Sequence, residues 1–376
     1  MFEHRYIRQI SLPFIGRDGQ TKLKNASVLV VGAGGLGCPV LTTLVSAGVG
    51  RVGIVDFDVV SLSNLHRQWI YTEKQVGRPK AECAAEFLRA RNSDCEVSVF
   101  NMAINSNNVF DIISRFDLVV DASDNFTTRF LLNDACCLAD KPLIFGAVYR
   151  NEGQVSLFNY SKEQNKCGPN YRDVLPVKPN NNVIPDCEIA GVLPTITGII
   201  GNMQAAEVIM TILGKPQLNG WMAMVSQSGL EVSLVKIEKD PKNPISNLKK
   251  THDLQSTLNL IDKTLNSLEA MIQECTVLDL KQMFDNGEYF TLIDVRENDE
   301  FEVAHMNGKL IPLSEIQDRW SEIPKEGKVV IHCRSGVRSA NVIQFLSDQH
   351  GYTNLINLKG GILAWSAEID PSVPKY

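Results

Sequence analysis

The sequence predicts an α/β protein: a doubly wound, mostly parallel sheet domain followed by a smaller α/β domain. Three observations carry this. Short apolar runs such as SVLVVGA (27–33) and FDLVVDAS (116–123) read as buried strands. Helix-like segments alternate with them, the pattern of a parallel sheet covered by helices. The alternation stops at 161–188 and again near 238–250, and a second α/β pattern begins near Glu274.

Taken in order, 27–33 is the first strand. A glycine turn follows, then the helix-like PVLTTLVSAGV and a second strand, RVGIVDFD (51–58). KAECAAEFLRARN (80–92) reads as a helix. CEVSVFNM, FDLVVDAS, PLIFGAVYR and GQVSLFNY read as strands through Tyr160. Residues 161–188 are rich in Pro, Asn and Gly and read as a long loop, a type that is usually functional or mobile. ITGIIGNMQAAEVIMTILG reads as a helix, with strand-like segments after it to Ile237. These elements form domain 1–245. EKDPKNPISNLKK (238–250) is polar and proline-punctuated, and the linker, 246–273, includes a possible helix, DLQSTLNLIDKTLNSLEAMI. Domain 274–376 then repeats helix, strand, strand, helix, strand and helix, and about a hundred residues suffice for an independent domain.

Net charge is −6 with the histidines neutral, which argues against a nucleic-acid or anionic-membrane binder. No apolar run approaches the ~20 residues that span a bilayer. The N-terminus lacks the features of a secretion signal, so a cytoplasmic location is expected. Nine cysteines form no regular framework, and most should be reduced. Cys38, Cys83, Cys136 and Cys137 fall on apolar helix faces and read as core.

GAGGLG sets Gly32, Gly34 and Gly37 in a G-x-G-x-x-G pattern, with Gly35 between them, opening a helix after a strand. Such a turn lets backbone N–H groups meet a phosphate, as in Rossmann-like nucleotide sites. Asp56, at the end of the second strand, is placed to accept from ribose hydroxyls. NAD is the usual ligand of this pattern. The neighbours point elsewhere. DFDVVSLSNLHRQ supplies Asp58, Asn64, Arg67 and Gln68, GRPKAE supplies Lys80, and DASDN supplies Asp121, Asp124 and Asn125. Cations beside phosphates, with an acid to hold magnesium, serve nucleotidyl transfer and are not needed for hydride transfer.

RYIRQ, GAGGLG, DFDVVSLSNLHRQ, GRPKAE and DASDN resemble, in order and spacing, the motifs of the MoeB/ThiF family, bacterial relatives of the ubiquitin-activating enzymes. The likeness covers about residues 1–240. It implies a homodimeric adenylyltransferase that uses ATP and magnesium on the C-terminal glycine of a ubiquitin-like sulfur-carrier protein. It implies that Asp56 meets the ribose, Arg67 and Lys80 the triphosphate, and Asp124 the magnesium. Arg8 would reach the partner subunit's site. A surface ion pair is the alternative for each of these charges.

Many family members hold structural zinc with two C-x-x-C pairs. The matching positions here are Asn170, Asp173, Asn243 and Ser246, and Cys167 and Cys187 lack partners at ligand spacing. No zinc is expected, and packing should hold the loop. Cys187 matches a family cysteine linked to sulfur transfer or transthioesterification. A thiol near a helix start gains thiolate character, while a half-buried hydrophobe is the competing role.

In HCRSGVRSA, Cys333 lies between a strand and a helix, followed by Arg334, Ser335, Gly336, Val337 and Arg338. Inward N–H groups and two arginines should form an anion nest around a thiolate. Cysteine phosphatases need C-x5-R, and this loop is C-x4-R, a tighter ring suited to one terminal sulfur. The segment resembles the rhodanese active-site loop, and the likeness extends over about 274–376, with LIDVRENDEFEVAHMNG upstream and LKGGILAW downstream. Asp294, Arg296 and His305 look structural or loop-supporting.

Together the resemblances imply adenylation of a carrier, attack by a Cys333 persulfide to give an acyl disulfide, and release of a thiocarboxylate by Cys187 or an external reductant. The linker would keep the sulfur donor at an effective concentration on the order of mM. A cysteine desulfurase is the expected source of sulfur. Molybdopterin and thiamine carriers both remain open. An NAD-linked oxidoreductase with an accessory sulfur domain, and a non-catalytic scaffold that recruits a partner, are the competing classes.

Overall fold

The computed structural model describes residues 2–161, 168–176, 191–243, 245, 254–259, 261 and 272–374. The chain divides into two compact units, one formed by the described residues up to 261 and one by those from 272 onward. Most of the linker-helix segment, and Cys167, Cys187 and Ser246, lie outside the described residues.

In the first unit the helices are α1 (Phe2–Ile10), α2 (Gly16–Asn25), α3 (Gly37–Ala47), α4 (Lys80–Arg91), α5 (Val109–Ile113), α6 (Phe126–Leu138), α7 (Tyr171–Val174) and α8 (Pro194–Ile212). The strands are β1 (Ser27–Val31), β2 (Arg51–Val55), β3 (Glu96–Phe100), β4 (Leu118–Asp121), β5 (Leu143–Tyr149), β6 (Glu152–Phe158), β7 (Trp221–Ser226) and β8 (Glu231–Lys236). They form one sheet in the order β3-β2-β1-β4-β5-β6-β7-β8. The first five strands pair in parallel, and β6, β7 and β8 add an antiparallel flank. The chain reverses there in a tight turn after Tyr149, with Arg150 at φ +55°.

β1 is buried along its whole length, because α helices cover a parallel strand on both faces. From β1 the chain winds outward through β2 and β3, then returns to place β4 on the other side of β1. The crevice between the carboxyl ends of β1 and β4 is therefore the topological switch point, where open α/β sheets bind ligands. The core runs from Leu23 through the sheet to the α8 residues Ile196, Ile200 and Val208.

The second unit contains β9 (Gln273–Cys275), α9 (Val277–Asp285), β10 (Phe290–Asp294), α10 (Asn298–Val303), β11 (Lys309–Leu310), α11 (Ile316–Arg319), β12 (Lys328–His332), α12 (Val337–His350), β13 (Leu355–Leu358) and α13 (Gly361–Glu368). Its sheet is parallel throughout, in the order β11-β10-β12-β13-β9. Cys333 follows β12, beside the β10/β12 reversal of strand order. Among the described residues, no helix of the chain is long and apolar enough to cross a membrane.

Candidate functional site

In the first unit one cavity, of about 1090 Å3 including its mouth, opens at the β1/β4 crevice. It is lined by Gly32, Gly34, Gly35, Asp56, Asp58, Asn64, Arg67, Gln68, Lys80, Asp124 and Asn125. Phe57, Met102, Ala103 and Ile104 add an apolar wall, and Val148, Val192 and Thr197 line it too.

The glycines divide by role. Gly32 has φ +99°, and a β-carbon there would lie 2.5 Å from the Ala122 carbonyl oxygen. A β-carbon on Gly37 would lie 2.1 Å from the Gly32 carbonyl oxygen. Gly37 lets α3 pack against the turn and does not line the cavity, so its part is structural. Gly34 and Gly35 face the cavity, where Gly35 leaves room for the Arg67 side chain and Thr197.

Asp56 is fixed from two sides. One carboxylate oxygen accepts the Ala33 N–H at 2.7 Å and the other the Asp58 N–H at 2.8 Å. Burial pushes its pKa up, opposed by those two N–H groups and by Lys80. Lys80, at the start of α4, is buried, and its Nζ lies 3.0 Å from Asp58 Oδ2. Its backbone N–H also donates to the Asp58 carbonyl. Asp58 thus aims the lysine. Gln68 Nε2 donates to Asn64 Oδ1 at 3.0 Å, while Gln68 Oε1 is buried with no hydrogen-bond partner among the described residues. Asn125 caps α6, its Oδ1 accepting the Thr128 N–H. Asp124 stands one residue earlier on the cavity wall. Arg8 is exposed on α1 and does not line this cavity.

Sequence reasoning missed Arg129. It lies in α6, five residues beyond Asp124, and lines the cavity although only 8% exposed. Its Nη2 is 3.4 Å from the Ser123 carbonyl, its guanidinium lies against Phe126, Phe145 and Tyr171, and its Nε is 3.7 Å from Asp121 Oδ2. The signal available was a cation at helical spacing after DASDN.

A phosphate chain fits these residues. The turn would be filled by side chains at Gly34 and Gly35, and two cations stand beside it. Gln68 Oε1, an orphaned acceptor at the wall, suits a hydroxyl or amino donor of a nucleotide rather than its phosphates. Magnesium usually needs only one or two protein carboxylates when phosphates supply the rest, so Asp124 alone is an adequate protein ligand.

At the zinc-like positions, Asn170 and Asn243 are buried and bonded to each other. Asn243 Nδ2 donates to Asn170 Oδ1 at 3.1 Å and to Asp173 Oδ1 at 2.7 Å, and Asp173 Oδ2 accepts the Asn170 N–H. Next to them Arg172 grips Asp134 through two bonds of 2.7 and 2.6 Å. Tyr171 packs against Phe130, Phe145 and Phe158. Ring packing and a buried polar clasp hold residues 170–173, while most of the loop read at 161–188 lies outside the described residues.

In the second unit the loop after β12 is short, because α12 begins at Val337. Val337 and Arg338 therefore stand in the helix rather than the loop. The Gly336 N–H points at Cys333 Sγ at 3.2 Å. The Cys333 and Arg334 carbonyls point away, accepting N–H groups of Ile362 and Leu363 at the start of α13. One N–H thus faces the sulfur while two loop carbonyls are tied back to α13, an arrangement that favours an anion at this point. Cys333 is fully covered and belongs to the core cluster that holds Ile331 and Val342. One expectation is corrected. Arg338 is turned to Glu300 in a bidentate pair of 2.5 and 2.6 Å instead of facing the sulfur. The C-x4-R spacing places a guanidinium one helical step past the loop, and the upstream carboxylate takes it. Arg334 is half-buried and Ser335 exposed.

Asp294 and Arg296 are a fully buried pair, Arg296 Nη2 lying 2.6 Å from Asp294 Oδ2 and 2.6 Å from the Ala304 carbonyl. They tie β10 to the end of α10. His305 stacks on Phe301 at 4.7 Å.

Residues 6–246 match the model of the ThiF family, and residues 276–368 match the rhodanese-like domain. The chain is 36% identical over 377 residues to a probable adenylyltransferase/sulfurtransferase MoeZ of Mycobacterium tuberculosis, covering 99% of this chain and 95% of that protein. It is 37% identical to the adenylyltransferase and sulfurtransferase MOCS3 of Aedes aegypti, over 99% of this chain and 88% of that one. The crystal structure of E. coli MccB with ATP superposes with a TM-score of 0.55 at 22% identity, over 65% of this chain and 74% of MccB, a likeness of fold. The chain belongs to the ThiF family, as an adenylyltransferase joined to a rhodanese-like sulfurtransferase domain.

Proposed function

We propose that the chain adenylates the C-terminal glycine of a ubiquitin-like sulfur-carrier protein and then converts that carboxylate to a thiocarboxylate with sulfur held on Cys333. The observation that carries the first half is the convergence of Gly34, Gly35, Asp56, Arg67, Lys80 and Asp124 on one cavity at the sheet's switch point. The turn's N–H groups receive the phosphates, Arg67 and Lys80 offset charge as pyrophosphate leaves, and Asp56 orients the ribose. Asp124 would hold magnesium, which would supply charge neutralisation at the phosphates. The carrier's carboxylate attacks the α-phosphorus, giving an acyl adenylate and pyrophosphate.

The second half follows from the loop around Cys333. The terminal sulfur of a Cys333 persulfide attacks the acyl carbon, AMP departs, and an acyl disulfide joins carrier and enzyme. A thiol, from Cys187 or an external dithiol, attacks the Cys333 sulfur. The carrier leaves as a thiocarboxylate, and the resulting disulfide is reduced by that dithiol. The names of the relatives pair the two activities, which supports their combination in one chain. A cysteine desulfurase as sulfur source, a homodimer in which Arg8 completes the partner subunit's site, and a cytoplasmic location belong to the same reading.

The test is incubation of the full chain with carriers ending in Gly-Gly, ATP-magnesium and a persulfide source, read by intact mass. One carrier should exchange an oxygen for a sulfur. If every carrier stays unchanged while pyrophosphate is released, the sulfur step fails. If no pyrophosphate is released, the adenylation step fails.

A further inference from the structure

Beneath the Cys333 sulfur runs a chain of side chains that the reaction just described does not use. Ser339 and Asn357 are fully buried. Ser339 Oγ lies 3.5 Å from Cys333 Sγ and 2.7 Å from Asn357 Oδ1. Asn357 Nδ2 lies 3.0 Å from Glu274 Oε1, and those two residues are direct partners across the β13–β9 ladder. Glu274 is exposed to solvent at the edge strand.

The direction of these bonds follows from what each group can do. A carboxylate only accepts, so the Asn357 amide must turn its NH2 to Glu274 and its oxygen to Ser339. A hydroxyl has one hydrogen, and the short bond to Asn357 takes it. The face of Ser339 toward Cys333 is then a lone pair, which suits a neutral S–H and opposes an anionic sulfur. Beyond the Gly336 N–H, which already faces the sulfur, Ser339 adds stabilisation to an anionic sulfur only when its hydrogen turns round to it, leaving Asn357.

We propose that Glu274, Asn357 and Ser339 form a relay that sets whether the Ser339 hydroxyl donates to the Cys333 sulfur, with Ser339 the donor to the anion and the other two its positioning residues. The proposal rests on Cys333 being the sulfur carrier. The exposed carboxylate acts as a brake. It holds the serine in the accepting orientation until charge on the sulfur outcompetes it. Glu274→Gln releases the brake, because a carboxamide can donate to Asn357, allow that amide to flip, and leave the Ser339 hydrogen for the sulfur.

The experiment uses the full chain and follows alkylation of Cys333 by iodoacetamide at pH 7, read by mass on the peptide that contains it. Glu274→Gln should speed alkylation about fivefold, the size of one hydrogen bond. Ser339→Ala should slow it by a similar factor. The double variant should react at the Ser339→Ala rate, since the relay acts only through the serine. An unchanged rate in Glu274→Gln overturns the proposal, as does a Glu274→Gln effect that survives in the Ser339→Ala background. A parallel arm loads sulfur from thiosulfate, in which the Cys333 thiolate takes the sulfane sulfur and sulfite leaves. Failure of wild-type Cys333 to gain that sulfur removes the carrier reading and leaves the alkylation result to judge the relay on its own.

Discussion

Arg338, the second residue of the helix that follows the Cys333 loop, is bound by two charge-assisted bonds to Glu300, 38 residues away in sequence. Burial alone would push the Glu300 carboxyl up, but the Arg338 guanidinium, the Glu297 N–H and Arg296 outweigh it and hold the group below the usual carboxylate range. The pair is therefore complete at neutral pH and opens only as pH falls through that lowered value. Glu300→Gln should release Arg338 toward the loop and lower the KM for thiosulfate by about threefold, a gain of about 0.6 kcal/mol. A raised KM, in steady-state sulfur transfer to cyanide, would show that the pair builds the loop rather than restrains it.

Lys80 and Asp58 make separable predictions for the first unit. Lys80→Ala removes a cation from the phosphate cavity and should cut ATP–pyrophosphate exchange by about a hundredfold or more. Asp58→Asn keeps the cation but loosens its anchor, and a loss of about tenfold is expected. Equal losses in the two variants would mean that Asp58 itself meets the nucleotide.

His332 predicts a pH dependence of stability. Burial is the main cause that pushes its pKa down to about 4, with the nearby Asp294 opposing and Arg296 assisting. The folded histidine is therefore neutral where an unfolded one, near 6.5, already binds a proton. The stabilisation is fully present above about 6.5 and is lost as pH falls from there to about 4, by about 3 kcal/mol in all. Thermal unfolding of the full chain, followed for the second unit's transition, should show that slope, and His332→Asn should flatten it. An identical slope in the variant would assign the pH dependence elsewhere.

The Asn170–Asp173–Asn243 clasp predicts indifference to chelators. Tm should be the same with and without EDTA. Asn243→Ala removes two hydrogen bonds, to Asn170 Oδ1 and to the Asp173 carboxylate, though each acceptor keeps another donor, and should cost about 1–3 kcal/mol, measured by denaturant unfolding of the first unit. A fall in Tm on chelation would mean that a metal helps to hold this segment.

Much of the first site was legible because its parts are local. Gly34, Asp56, Lys80 and Asp124 each follow a strand or open a helix within a short motif, and strand ends on one sheet edge must converge. Arg129 was not legible, since its place at the cavity depends on Phe145 and Tyr171, which reach it from other elements. The antiparallel flank was read as strands without direction, because pairing direction is set by the turn after Tyr149 and not by strand composition. In the second unit the thiol and its loop stood out, but the partners that govern them did not. Glu300, Asn357 and Glu274 are brought to the loop by sheet register and helix docking, which no run of neighbouring residues encodes.

The bonds from Ile362 and Leu363 to the carbonyls of Cys333 and Arg334 have a consequence for biosynthesis. The thiol emerges from the ribosome well before the amides that curl its loop. A nascent chain halted short of residue 361 would carry the cysteine and all five strands of its sheet, yet lack the clamp that fixes the loop. The loop can thus take its final shape only after translation has passed Leu363.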